Sequence, residues 1–229
     1  MLFRSAFFGG FRELRPIQEA SLEPLLAGKN VVLSAGTGSG KTEAVVAPLL
    51  SRYRLQAIRD DHTVILYISP TKALINDLAL RLRFATEKLG IRVGIRHGDR
   101  NDLALVHKPH ILITTPESLN VLMVKRYPVL NDVEAVILDE VHLLYNTQRG
   151  LQLALLLGRI KKIRQTPLQW AALSATLGEL SNVRDFFWGA SEPAELIKFP
   201  ATRSIEAQIR IGATDDETRA LFSRLMDSP

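Results

Sequence analysis

Cysteine is absent from the 229 residues, which excludes disulfides, thiolate metal sites and a cysteine nucleophile and leads us to expect an intracellular setting. The five histidines lack the spacing of metal ligands, so no zinc site is expected. The apolar opening, residues 1–10, carries Arg4, is too short for a secretory core and has no small-residue cleavage site. No later run reaches the roughly 18–20 apolar residues that a spanning helix needs, so a soluble protein is expected. Internal repeats and low-complexity tracts are missing too. One domain over residues 1–200 with an exit segment, 201–229, is the simplest partition.

What is present is ample apolar material, 46% of residues, enough for one substantial core. The formal charge of +5 favours a polyanionic partner. Short apolar runs alternate with segments of helical period, the pattern of an α/β fold with a mostly parallel sheet covered by helices on both faces. Strands are expected at 30–35, 63–69, 91–96, 110–114, 134–139 and 169–174. Leu74, Leu78, Leu82, Ala85 and Leu89 recur at helical spacing up to Gly90, a natural left-handed cap, and residues 151–163 read as a further helix. Its cations Arg159, Lys161, Lys162 and Arg164 read as a solvated face, since positive charge suits a helix C-terminus. Pro48 should kink the helix that follows the first strand, and beyond Pro200 the alternating Ile205, Ala207, Ile209 and Ile211 mark a change of character.

Directly after the first strand comes Ala35-Gly36-Thr37-Gly38-Ser39-Gly40-Lys41-Thr42, leading into a helix. Strand, glycine-rich loop and helix together make a phosphate cradle. Backbone N–H groups face phosphate oxygens, Lys41 supplies a point charge to the β and γ phosphates of ATP, and the Thr42 hydroxyl is placed to ligate Mg²⁺. A later apolar strand ends in Asp139-Glu140-Val141-His142, which puts two carboxylates at the carboxyl edge of the sheet. Asp139 would hold Mg²⁺ through water, and Glu140 would orient and deprotonate the attacking water. No Leu-Ser-Gly-Gly-Gln signature of a transport ATPase occurs.

In order, the loop at 35–42, the Asp-Glu-x-His box and Ser174-Ala175-Thr176 resemble motifs I, II and III of superfamily 2 helicases. The resemblance implies the first RecA-like P-loop NTPase domain of an ATP-dependent motor. It further implies that Arg15 and Gln18, within Phe11-Arg12-Glu13-Leu14-Arg15-Pro16-Ile17-Gln18, read the adenine. By the same resemblance His142, Ser174 and Thr176 couple the ATP site to the nucleic-acid site.

Three further segments resemble the family's strand-gripping motifs: Pro70-Thr71-Lys72, His97-Gly98-Asp99 and Thr115-Pro116-Glu117-Ser118. Their hydroxyls, one lysine and helix-end amides suit sugar-phosphate rather than bases. Residues 108–119 and Arg149-Gly150 after the acidic box are most similar to the large-helicase-related (Lhr) group. That likeness implies single-stranded DNA in preference to RNA as partner, and a second RecA-like domain of the same protein closing over the ATP. RNA unwinding, and translocation without strand separation, stay open at this level.

Overall fold

The computed structural model describes residues 6–9, 13–104, 107–164, 166–176 and 178–199. Phe11, Arg12 and the 201–229 segment, with its alternating isoleucines, lie outside the described residues. Eight strands form one sheet in the order β4-β3-β5-β2-β6-β7-β1-β8. They are β1 (Asn30–Ser34), β2 (Ile65–Ile68), β3 (Val93–His97), β4 (Arg100–Asn101), β5 (Ile111–Thr114), β6 (Ala135–Leu138), β7 (Gln169–Ser174) and β8 (Ala194–Lys198). All pairings are parallel except the short β3–β4 ribbon.

The helices are α1 (Pro16–Leu26), α2 (Lys41–Asp60), α3 (Lys72–Thr86), α4 (Pro116–Val124), α5 (Gln148–Ile163) and α6 (Leu180–Phe187). Every residue of β1, β2, β5, β6 and β7 is buried, because helices cover both faces. Side chains alternate between two cores. Val31, Leu33, Ile65, Tyr67 and Ile137 pack with Val45, Leu49 and Leu50 of α2 and Ile75 and Leu78 of α3. Val32, Leu66, Ile68, Val136 and Leu138 meet Leu119 and Leu122 of α4, Leu153 and Leu157 of α5 and Val183 of α6.

Six expected strands are present within a residue or two of their expected limits. β4 and β8 were not anticipated: one has two residues, and Ala-Glu-Leu-Ile-Lys of β8 is an exposed edge with little apolar signal. α2 runs on through Pro48 to Asp60, and α3 ends at Thr86, a 3₁₀ turn then leading to Gly90 in the left-handed conformation. α5 begins three residues before the expected start, because the Thr147 side chain accepts a hydrogen bond from the Gly150 amide at 3.1 Å and so caps it. Its cations are not one solvated face. Lys161 pairs with Glu192 at 2.6 Å and Arg164 with Glu134 at 2.8 Å, while Arg159 and Lys162 are exposed.

Candidate functional site: the carboxyl edge of the sheet

The sheet order divides the expected motifs into two groups. β6, β7 and β1 are neighbours, so the acidic box, the Ser-Ala-Thr turn and the glycine-rich loop lie side by side. β3, β5 and β2 are likewise neighbours, and the three strand-gripping segments follow them.

In the first group, Gly40 caps α2 with φ +87°, and a Cβ there would come within 2.6 Å of the Gln18 amide nitrogen. Only glycine serves at this position. The Gln18 side-chain Oε1 accepts from the Arg15 backbone amide at 3.0 Å, and the Arg15 guanidinium donates to the Gly38 carbonyl, so both expected adenine-reading residues lie against the loop. Lys41 is buried and donates to the Ala35 and Gly36 carbonyls at 2.6 and 3.0 Å. Burial lowers the pKa of its ammonium, against the pull of Glu140 and Asp139. The Ser39 hydroxyl is buried in the loop without a hydrogen bond.

Burial pushes the Asp139 carboxyl up to about 6, with Glu140 adding repulsion, while Tyr67 and Lys41 favour its ionised form. The Glu140 amide donates to Asp139 Oδ1 at 2.9 Å. Glu140 itself adopts a left-handed backbone, φ 44° and ψ 45°, which a non-glycine residue tolerates at some cost and which re-aims the chain after β6. His142 Nδ1 is 3.3 Å from Glu140 Oε2 and 3.2 Å from the Ser174 hydroxyl. Ser174 gives its proton to the Thr176 carbonyl at 3.1 Å, so its oxygen is left to accept from an Nδ1-protonated imidazole. All three expected coupling residues therefore meet in one contact chain.

In the second group, the Thr71 and Thr115 hydroxyls accept from the Leu74 and Ser118 amides at 3.3 and 3.2 Å. Each is an N-cap; exposed Thr71 keeps its own O–H for an outside acceptor, whereas the Thr115 hydroxyl also acts on the Glu117 carboxylate by hydrogen bonding. Thr71 is exposed, whereas Thr115 and Ser118 are buried in the turn. Lys72 pairs with Asp99 at 2.6 Å, which ties the first gripping segment to the second. His97 is buried and accepts from the Asp99 amide at 3.3 Å, holding the Gly98 bend, whose added Cβ would face the Lys72 ammonium.

Two residues of the site were missed by sequence reasoning. Arg149 donates to Glu117 at 2.6 Å and to the Pro70 carbonyl at 2.8 Å, bracing two gripping loops from the first turn of α5. Its place after the acidic box was noticed, but nothing local announces a partner 79 positions away. Next to it, a Cβ on Gly150 would lie 1.9 Å from the Leu144 carbonyl oxygen, so α5 seats directly on the turn that follows the acidic box. Tyr67, the one polar side chain of β2, is fully buried and electrostatically coupled to Asp139 and Thr42. A hydroxyl inside an otherwise apolar strand was the available signal.

Residues 15–186 match the family model described as DEAD/DEAH box helicase. The Lhr helicase/probable uracil glycosylase of Mycolicibacterium smegmatis is 33% identical over 232 residues, covering 93% of this chain and 15% of that protein. The ATP-dependent helicase Lhr-Core of Sulfolobus acidocaldarius is 32% identical over 244 residues, covering 95% and 28%. Among solved structures, Mycobacterium smegmatis helicase Lhr bound to ssDNA and AMP-PNP aligns with a TM-score of 0.76 at 31% identity, covering 99% of this chain and 32% of that one. The chain thus spans between about a seventh and about a third of these relatives.

Proposed function

Because the chain belongs to the DEAD/DEAH box helicase family, as an Lhr-like helicase motor domain, we propose that its sheet edge couples ATP hydrolysis to movement along single-stranded DNA. The observation that carries this reading is the contact chain Glu140–His142–Ser174–Thr176, which joins the hydrolytic carboxylate to the turn after β7.

On this reading Lys41 exchanges two neutral loop carbonyls for the β and γ phosphates, a stronger charge-assisted pairing. Thr37, Gly38, Ser39 and Gly40 cradle the phosphates with backbone amides, and Arg15 and Gln18 orient the adenine. Thr42 and, through water, Asp139 would hold Mg²⁺. The donor set fits: a buried carboxylate interacts with Tyr67 and Glu140, whose hydroxyl and Oε2 lack hydrogen bonds. A bound Mg²⁺ would neutralise charge on the phosphate oxygens. Glu140 takes the proton of the attacking water, with His142 Nδ1 3.3 Å from its Oε2.

The strand lies across Pro70, Thr71 and Lys72, then His97, Gly98 and Asp99, then Thr115, Pro116, Glu117 and Ser118, gripped by its backbone. DNA is favoured over RNA because the similar Lhr structure holds ssDNA. A second RecA-like domain, approached through 201–229, closes the ATP site of this 1–200 motor. Among the described residues no helix is long and apolar enough to cross a membrane, in keeping with an intracellular motor.

The deciding experiment is an ATPase assay of the full-length protein with no polymer, single-stranded DNA, duplex DNA and RNA. Single-stranded DNA should stimulate most. Greater stimulation by RNA would replace the DNA reading, and stimulation by duplex alone without strand displacement would favour a translocase.

A further inference from the structure

β2 is Ile-Leu-Tyr-Ile, and its tyrosine hydroxyl is an anomaly in a strand buried at every position. Tyr67 pairs in register with Ile137 of β6, and both side chains belong to the core beneath α2. Asp139 stands two residues beyond Ile137, so it shares that face and lies about 7 Å nearer the carboxyl edge. Side chains on a sheet lean along the strand, and a phenol is long enough to span one such step. The Asp139 carboxylate, by charge and hydrogen bonding, and the Thr42 hydroxyl at the start of α2, by hydrogen bonding, both act on its oxygen. Yet the hydroxyl makes no hydrogen bond of standard geometry and is sealed from water. Phenylalanine would fill the same volume without burying an unpartnered polar atom, so packing does not account for the oxygen.

We propose that Tyr67 is a positioning residue for the cation site: its hydroxyl donates to the Asp139 carboxylate and fixes the direction in which Asp139 presents its remaining lone pairs. The geometry supports a division of labour around that carboxylate. Oδ1 already accepts the Glu140 amide at 2.9 Å, and a second donor from β2 would brace the group from the opposite strand. A carboxylate offers about four acceptor directions, so two braces leave two for the ion's water shell. The phenol is a donor throughout the neutral range, since its ordinary pKa is about 10 and burial raises it further. Outer groups that orient a metal ligand in this way are typically worth about 10–100-fold in metal affinity.

This inference rests on the assignment of Asp139 to Mg²⁺, and the test separates the two. Binding of a fluorescent ATP analogue to the full-length protein is measured in chelator and across a Mg²⁺ titration, for wild type, Tyr67→Phe and Asp139→Asn. The expected result is that Tyr67→Phe keeps wild-type affinity in chelator and an unlowered melting temperature, but needs about 10-fold more Mg²⁺ for its half-maximal gain in affinity. A Tyr67→Phe titration that overlays wild type, while Asp139→Asn is displaced, overturns the proposal and leaves the cation site standing. Equal losses for Tyr67→Phe with and without Mg²⁺ also overturn it, since the hydroxyl would then serve the fold. If Asp139→Asn itself leaves the Mg²⁺ dependence unmoved, the assignment of the ion fails and the proposal with it.

Discussion

The two halves of the sheet edge meet their ligands in opposite states. At β6-β7-β1 the charged groups are buried and poorly satisfied: Lys41 rests on carbonyls, Asp139 is pushed up to about 6, and the Ser39 hydroxyl and Glu140 Oε2 lack hydrogen bonds. In the segments that follow β3, β5 and β2 the side chains expected to meet a strand are already partnered, with Thr71 and Thr115 as caps, Lys72 on Asp99 and Glu117 on Arg149. The difference teaches where ligand free energy enters. On the proposed reading a triphosphate with its cation would complete the first half, whereas a polymer strand would have to displace partners in the second, which suits weak, repeated contacts.

The sharpest way to break the comparison is Glu140→Gln. Full-length protein should lose about 10²–10⁴ in turnover while still binding ATP, read by steady-state hydrolysis beside nucleotide titration. Turnover within a few-fold of wild type would place the base elsewhere.

Acid should act with opposite signs on two buried groups, Asp139 at the carboxyl edge and His110 at the other end of β5. Burial, with Arg92 adding repulsion, lowers the His110 pKa to about 4, even though Asp61 lies near. Its folded value lies below the unfolded one, so the stability it confers is present above about pH 6.5 and lost as pH falls towards 4. The folded pKa of Asp139 is raised instead, so the native state gains stability as pH falls through about 6 towards 4. Each effect is worth about 3 kcal/mol when complete and they oppose one another. Urea midpoints of the nucleotide-free protein from pH 7 to 4 should therefore rise on acidification in His110→Asn and fall more steeply than wild type in Asp139→Asn. Parallel curves for the three proteins would show that neither group is perturbed.

Lys41→Ala comes next. ATP binding should weaken by about 1.5–3 kcal/mol, the worth of a charge-assisted contact, with a native circular dichroism spectrum. Unchanged affinity would mean that the loop is not the phosphate site.

The smallest expected effect belongs to the nucleic-acid half. Lys72→Ala should reduce the log–log salt slope of single-strand binding by about 0.7 if Lys72 neutralises one phosphate. Asp99→Asn should do the reverse of weakening: by freeing Lys72 from an exposed ion pair, it should tighten binding slightly at low salt. Fluorescence anisotropy on mixed and homopolymer strands reads both. Weaker binding by Asp99→Asn would show that the pair positions Lys72 rather than competing for it.

Much of this edge was legible because it is local. Glycine-rich loop, acidic box and strand ends each occupy a few consecutive residues, and near-continuous apolar runs such as Ala135–Leu138 announce central strands directly. What escaped was set by distant partners. β8 exists because β1 offers it an edge, Arg149 matters through Pro70 and Glu117, and Tyr67 matters because a neighbouring strand places Asp139 one pleat ahead. Thr71 and Thr115 illustrate a milder case: hydroxyls before a helical segment suit an N-cap as well as a phosphate contact, and the folded turn shows each accepting from an amide at the helix start.

The seating of Gly150 on Leu144 makes a mechanical transmission of these pieces. With no room for even a methyl group between them, and with Thr147 bonded to the Leu144 carbonyl at 2.7 Å and to the Gly150 amide, the turn after Glu140 and the first turn of α5 form one solid block. Arg149 projects from that block onto the loops after β2 and β5. On the proposed reading, a displacement of the Glu140 backbone, already held in a left-handed bend, would pass through that block to the loops after β2 and β5 rather than be absorbed as slack.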